Sequence, residues 1–441
     1  MRRNNNQRDL EGLLRINHKK VNDDKIRTKL ERIGSNNCTP TKLILYGSSS
    51  NIKFEYIEIL SKSLETSLYM VHLELSGNKI GNDGLKFLSE GLKLNSTLRH
   101  IELRGNAISK DGMMYLSESL KINSSIKIID LGRNWIGDIG MKYLSESLKI
   151  NSSIVYIRLH KNQFSHKGVK YLSEALFVNK TITNIDISHN SIRDEGMVYV
   201  SEILKHNSSI TNIDFRDNRF GLEGIKSLSE GLANNSSITE FDLHGSYIDN
   251  ERMMYLSNAF KKTNFVKKVD LHNNQIGCEG MRYLCESLEI NSSITAIDIS
   301  NNFIKHKGYE YLTNVLKTRN FIKWINLYRN SRYPNSDKLI LNMLHHNYSI
   351  KYLGEYQFDY ERRIEFRPNY YYLLNHRNRR QRIVEWMPWK NHHICKKMMP
   401  IFHDIVLTLL YLFFISQIFL RREKRKLRQK LRQKLRQQKK F

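Results

Sequence analysis

The chain has 441 residues with 71 Lys+Arg against 44 Asp+Glu, a formal net charge of +27. Residues 1–66 hold 13 basic and 8 acidic groups, 67–330 hold 33 and 28, and 331–441 hold 25 and 8, so only the last segment is strongly basic. The near-neutral middle argues against a nucleic-acid-binding protein whose whole surface is positive, and four cysteines without CxxC spacing argue against a disulfide framework or a zinc ribbon.

The first segment, MRRNNNQRDLEGLLRIN, is positively charged but lacks the apolar core of about 7–15 residues that a secretory signal needs. An intracellular, cytoplasmic chain with free thiols is therefore expected, not a secreted one. Residues 10–33 read as a helical N-terminal cap and 41–66 as a degenerate first repeat, together making up segment 1–66. Positions 41–333 contain no proline, while the whole chain holds 43 asparagines, the composition of an array more than of separate globular domains.

The array, residues 67–353, declares itself by spacing. Asparagine recurs in steps of 28 at Asn78, Asn106, Asn134, Asn162, Asn190, Asn218, Asn274, Asn302 and Asn330, with Ser246 in the one missing place. Apolar residues lie five before, three before and two after it, as in Leu73, Leu75 and Ile80. Glycine follows at six, Leu or Val at ten and Leu at fourteen, with Arg252 and Phe260 as departures. The LxL alternation predicts a short strand with one buried face, and Leu116 and Leu120 form an i, i+4 pair on a helix. The asparagine amide supplies donors and acceptors to a turn that would otherwise leave backbone groups unpaired. A second asparagine at seventeen (Asn95, Asn123, Asn151, Asn207, Asn291) ends the helix, where a left-handed conformation is expected. One unit cannot bury its own apolar face, whereas ten stacked units can.

The pattern LxLxxNxIgxxGxxxLxxxL over residues 68–353 resembles leucine-rich repeats of the ribonuclease-inhibitor-like class. The resemblance implies an α/β solenoid, a horseshoe with a concave parallel sheet and convex helices, and a binding scaffold in place of an enzyme. The block YLSESLKINSSI stands unchanged at 115–126 and 143–154, a sign of internal duplication. Asn-Ser-Ser triplets also fit glycosylation acceptors, but the helix-end role of the same asparagines is preferred. An aromatic column nine after the first asparagine, from Phe87 and Tyr115 to Tyr311, is expected to pack between helices.

Four before the asparagine the residues read Glu74, Glu102, Asp130, Arg158, Asp186, Asp214, Asp242, Asp270, Asp298 and Asn326. With strands about 4.8 Å apart, eight carboxylates in ten places are expected to form one column on the concave face. Like charges so close raise one another's pKa and oppose stability, so a column kept at that cost would attract a basic protein partner. The competing reading is that these carboxylates accept local hydrogen bonds and are copied with the repeat. Two before the asparagine the series is more varied and includes His160, Arg216, His244, His272 and Tyr328. Trp324 and Tyr328 are either interface anchors or a cover for the last repeat. No catalytic, cofactor or metal residue is expected, and the chain is expected to be monomeric.

Residues 354–400 interleave aromatics and arginines and read as a C-terminal cap module. Within it Trp386, Pro388, His392 and Pro400 resemble a short module at the ends of ankyrin-repeat and related proteins, which implies no activity. His392, His393, Cys395 and His403 match no named zinc spacing. Residues 401–420 form an apolar helix whose uncharged part, 405–420, is 16 residues, against the roughly 20 that a bilayer usually needs. Three readings stay open for it: a membrane span, an interfacial helix, or a helix buried in an end module. The tail 421–441 carries twelve basic residues and one acidic residue, suited to anionic lipid or, less favoured, to nucleic acid or nuclear import. The leading reading is a protein-binding scaffold held at a membrane. A soluble adaptor and a nucleic-acid or nuclear protein acting through the tail are the alternatives.

Overall fold

In a computed structural model, the described residues are 13–17, 23–34, 41–46, 52–331, 334–353, 373–375 and 382–384. The modules expected at 386–400, 401–420 and 421–441 lie outside them. Among the described residues no helix is long and apolar enough to cross a membrane.

Thirteen parallel strands form one sheet in strict chain order, each followed by a helix except the last. Two irregular strands lead, β1 (Leu13–Asn17) and β2 (Lys42–Tyr46). Five regular ones follow, β3 (His72–Glu74), β4 (His100–Glu102), β5 (Ile128–Asp130), β6 (Tyr156–Arg158) and β7 (Asn184–Asp186). Then come β8 (Asn212–Asp214), β9 (Glu240–Asp242), β10 (Lys268–Asp270), β11 (Ala296–Asp298) and β12 (Trp324–Asn326). β13 (Tyr352–Leu353) closes the sheet, and β14 (Leu373–Asn375) pairs antiparallel with β15 (Arg382–Val384) in a separate ribbon. Strands about 4.8 Å apart, backed by helices that pack 8–10 Å apart, curve such an array toward its sheet. Residues 13–17 supply an edge strand in the segment expected to be a helical cap. Leu14 and Ile16 there alternate toward the core as the LxL residues do.

The core is the periodic set. Leu73, Leu75, Ile80, Leu88 and Leu92 are buried, as are their equivalents in the following repeats through the one built on Asn302; in the last repeat Ile340 is half-buried. At Gly84 a Cβ would stand 2.5 Å from Cγ2 of Ile80, so the apolar residue two after the asparagine requires glycine on the helix above it. Of the aromatic column, Tyr199, Tyr255 and Tyr311 pack against the core, and Tyr115 and Tyr255 meet Lys86 and Lys226 of the preceding helix, whereas Phe87 is exposed.

The turn asparagines stitch repeats together. Asn106 Nδ2 donates to Leu75 O of the preceding repeat (2.9 Å), and its Oδ1 accepts from Asn78 N (3.0 Å) and Ile80 N (3.3 Å). Ser246 breaks the series, with one long contact to His244 O at 3.5 Å. The residue just before this position is left-handed in all ten repeats: Gly77, Gly105, Arg133, Lys161, His189, Asp217, Gly245, Asn273, Asn301 and Arg329.

The second asparagine series behaves differently from expectation. Asn123 has φ −67° and ψ 122°, extended and not left-handed. The chain leaves the helix directly toward the next strand, and the side chain bridges the gap. Asn123 Nδ2 donates to Leu92 O (2.7 Å) and Asn95 O (2.9 Å), while its Oδ1 accepts from the N–H groups of Ser125 and Ile126 at 2.9 Å each.

A 56-residue alternation overlies the 28-residue repeat. Asp138 Oδ1 accepts from Ser165 N (2.7 Å) and Gly168 N (2.9 Å), capping the helix of the next repeat. Asn82, Asp194 and Asn250 do the same for the helices beginning near Ser109, Gly221 and Gly277. His306 continues the series with Ser336 Oγ at 3.3 Å.

Candidate binding face of the sheet

Because strand side chains alternate, residues on either side of the buried Leu or Ile point away from the helices. Three columns therefore share the open face of the sheet. The central one is the expected carboxylate column, in register from Glu74↔Glu102 and Glu102↔Asp130 through Asp130↔Arg158 to Asp270↔Asp298 and Asp298↔Asn326. His160, Arg216, His244 and His272 lie two residues further on. A third column, six before the asparagine, is one of which only Trp324 stands out from sequence: His72, His100, Ile128, Tyr156, Asn184, Asn212, Glu240, Lys268, Ala296 and Trp324. Its parity with the carboxylates was the available signal.

Each aspartate of the column accepts a backbone N–H two residues on. The distances run from 2.8 Å at Asp130–Gly132 to 3.1 Å at Asp214–Arg216, with Asp186, Asp242, Asp270 and Asp298 between them. Much of the charge is also answered locally. Arg216 grips Asp214 (2.6 Å) and reaches Asp242 (3.6 Å), Arg158 lies 3.5 Å from Asp130, and His160 lies 3.2 Å from Asp186.

Burial, and not mutual repulsion, is the first cause of the upward pKa shifts in this column. It pushes Asp214 and Asp298 up to about 6, with the neighbouring carboxylates a smaller influence and the bonds from Arg216 and Ser300 opposing it. Burial also raises Asp130. At Asp186 burial is again the largest influence, but the bonds from His160 and Ser188 outweigh it and hold the carboxyl below its usual range. Glu102 is lowered, first by its bond with His72. Burial brings His100 and His244 down to about 4, helped by the neighbouring His72 and His272 respectively, so both are neutral at pH 7.

The middle of this face forms an open depression of about 480 Å³ spanning β4 to β10. Its two ends differ in sign. Repeats β4–β6 contribute Arg104, Arg133, Arg158 and Lys161 against Glu102 and Asp130, whereas β7–β10 contribute Asp186, Asp214, Glu240, Asp242 and Asp270 against Arg216 and Lys268. His160 lines it as well. Glu74, Asp298, His244, His272, Trp324 and Tyr328 stand on the same sheet but not in its lining. Trp324 is in register with Ala296 and Tyr352 at the C-terminal end.

A sheet of parallel strands, one per 28-residue unit, with asparagines bonding across the turns, is the architecture of leucine-rich repeats, and this chain carries them. A leucine-rich repeat family model matches residues 66–89, 94–117, 123–145, 178–201 and 206–229. No curated protein matches the chain. Among solved structures, it is similar to the yeast Rad7–Elc1 complex at 12% identity, covering 76% of this chain and 83% of that one with a TM-score of 0.47. The leucine-rich repeat-containing protein LegL7 from Legionella pneumophila matches at 16% identity over 76% and 97%, with a TM-score of 0.43. A TLR13–ssRNA13 complex matches at 16% identity over 73% of this chain and 40% of that chain, with a TM-score of 0.44.

Proposed function

We propose that the chain is a non-catalytic scaffold that binds a protein partner across the open face of its sheet. The bipolar lining of the depression carries this reading. A uniform acidic column would serve as copied consensus, but four basic groups at one end and five acidic groups at the other demand a partner placed in one orientation. Basic side chains of the partner would meet Asp242 and Asp270, and carboxylates would meet Arg104 and Arg133. The uncharged stretch 405–420 and the basic tail would hold the scaffold at a membrane, the stretch by apolar burial and the tail by attraction to anionic lipid.

Crosslinking pull-down with the full chain tests the face. Charge reversal at Asp214, Asp242 and Asp270 should lose a partner that reversal at Arg104 and Arg133 also loses, and retention of every partner by both would reduce the face to repeat consensus. The address is tested separately by fractionation. The full chain should enter membranes and a version ending at Met399 should not; equal solubility of the two would end the membrane reading.

A further inference from the structure

The first two regular strands depart together from the others. Only β3 and β4 carry Glu in the carboxylate column, where later strands have Asp, Arg or Asn. They alone also carry histidine six before the asparagine, His72 and His100. Neither change belongs to the pattern of the later repeats, and both coincide on one pair of adjacent strands. The extra methylene lets Glu102 reach sideways. Its Oε1 lies 3.0 Å from Nε2 of His72 and 3.4 Å from Nε2 of His100. The two imidazoles stack with centroids 4.0 Å apart. One nitrogen from each ring and one carboxylate oxygen all lie within 4.8 Å of one another, the one such trio among the described residues. Nε2 of His100 is shut off from solvent and makes no hydrogen bond.

We propose that His72, His100 and Glu102 bind a divalent first-row transition ion of the zinc class, with one coordination position open on the face of the sheet. Bonds of about 2.0–2.1 Å place neighbouring ligand atoms of a tetrahedron roughly 3.3 Å apart, and the two nitrogen–oxygen separations, 3.0 and 3.4 Å, bracket that value. Two imidazoles and one carboxylate suit zinc, nickel, cobalt or copper, whereas calcium and magnesium take oxygen ligands. The strands are already in register, His72↔His100 and Glu74↔Glu102, so binding needs only rotation of the rings out of their stack. The second histidine pair on this face is a built-in comparison. His244 and His272 also sit on adjacent strands, with centroids 4.7 Å apart, but His272 Nδ1 faces Ser300 Oγ at 2.6 Å and not a carboxylate.

Chelator-stripped full-length protein titrated with zinc by calorimetry, and with cobalt by visible absorption, tests the site. One equivalent present in the wild type should weaken by at least about tenfold in His72→Ala, His100→Ala and Glu102→Gln, and persist in His244→Ala. Any ion held elsewhere in the chain appears equally in all four variants and cancels. Glu102→Gln keeps the size of the side chain, so its loss of binding with an unchanged circular dichroism spectrum separates coordination from misfolding. Zinc should also raise the melting temperature of the wild type and not that of Glu102→Gln. Identical isotherms for wild type and Glu102→Gln, or loss of the same equivalent in His244→Ala, would overturn the proposal.

Discussion

Two polar columns run the length of this array at the same 28-residue period, and they do different things. The turn asparagines are buried and bond across repeats, each donating to a carbonyl of the repeat before it and most, as at Asn106, also accepting N–H groups from that same repeat. The aspartates of the open face bond mainly within their own strand ends, to the N–H two residues on. The first column holds neighbours together, while the second lines the open face of the sheet. Periodic recurrence alone therefore does not mark a binding site. The informative positions on the open face are those that break the period, such as Arg158, Arg216 and the paired His and Glu of β3 and β4.

Substitutions that hit one column and spare the other sharpen this contrast. Asn134→Ala removes donations to Leu103 O and Leu131 O and leaves the N–H groups of Asn106 and Ile108 without their acceptor in a buried turn. At about 1–3 kcal/mol per stranded group, a loss of roughly 3–5 kcal/mol is expected by urea unfolding, where Asp270→Asn should cost less than about 1 kcal/mol. Arg216→Ala should cost about 2–3 kcal/mol, because it strips two half-buried carboxylates of their shared cation; adding Asp214→Asn should recover part of that loss. An additive double variant would show the pairing to be energetically idle.

The pH dependence distinguishes the columns too. Asp298 has its folded pKa raised by burial to about 6 from the ordinary aspartate value of 3.8. The folded form thus takes up a proton first, and stability rises as pH falls through 6 and levels off near the unfolded value. Asp298→Asn should abolish this component, on the order of 2 kcal/mol between pH 7 and pH 4, seen as convergence of the two melting curves at acid pH. Parallel curves at every pH would mean that the carboxyl is not perturbed. His244, lowered to about 4, works in the opposite direction over an overlapping range, losing stability as pH falls from 6.5. The smallest effect expected is a gain. Ser246→Asn should restore the missing rung and add about 1 kcal/mol, measured as a higher urea midpoint.

The fold was legible because its causes are local and repeated. LxL, the turn asparagine and the helical leucines each act within one unit, and the same unit recurs ten times. The register of the carboxylate column followed from that period alone. Three features escaped for physical reasons. Asn123 bonds to the previous repeat and so needs no left-handed backbone, a contact invisible within a single unit. The edge strand at Leu13–Asn17 lacks the turn asparagine that marks nine of the ten regular repeats. The column containing His72, His100 and Tyr156 varies in character from strand to strand, so a search for recurring residues passes over it although strand parity places it beside the carboxylates.

The alternating caps carry a consequence for how such a chain can change its length. Asn82, Asp138, Asp194 and Asn250 each serve the repeat that follows, while the repeats between them offer Lys110, His166, Leu222 and Cys278 at the same place. Deleting one 28-residue unit would juxtapose two donors or two recipients and orphan a helix start. Deleting 56 residues would restore the pairing. The chain is built in couplets, so viable relatives of different length should differ by even numbers of repeats. The identical blocks at 115–126 and 143–154 stand one unit apart, but neither includes the capping position, so this copied segment leaves the alternation unchanged.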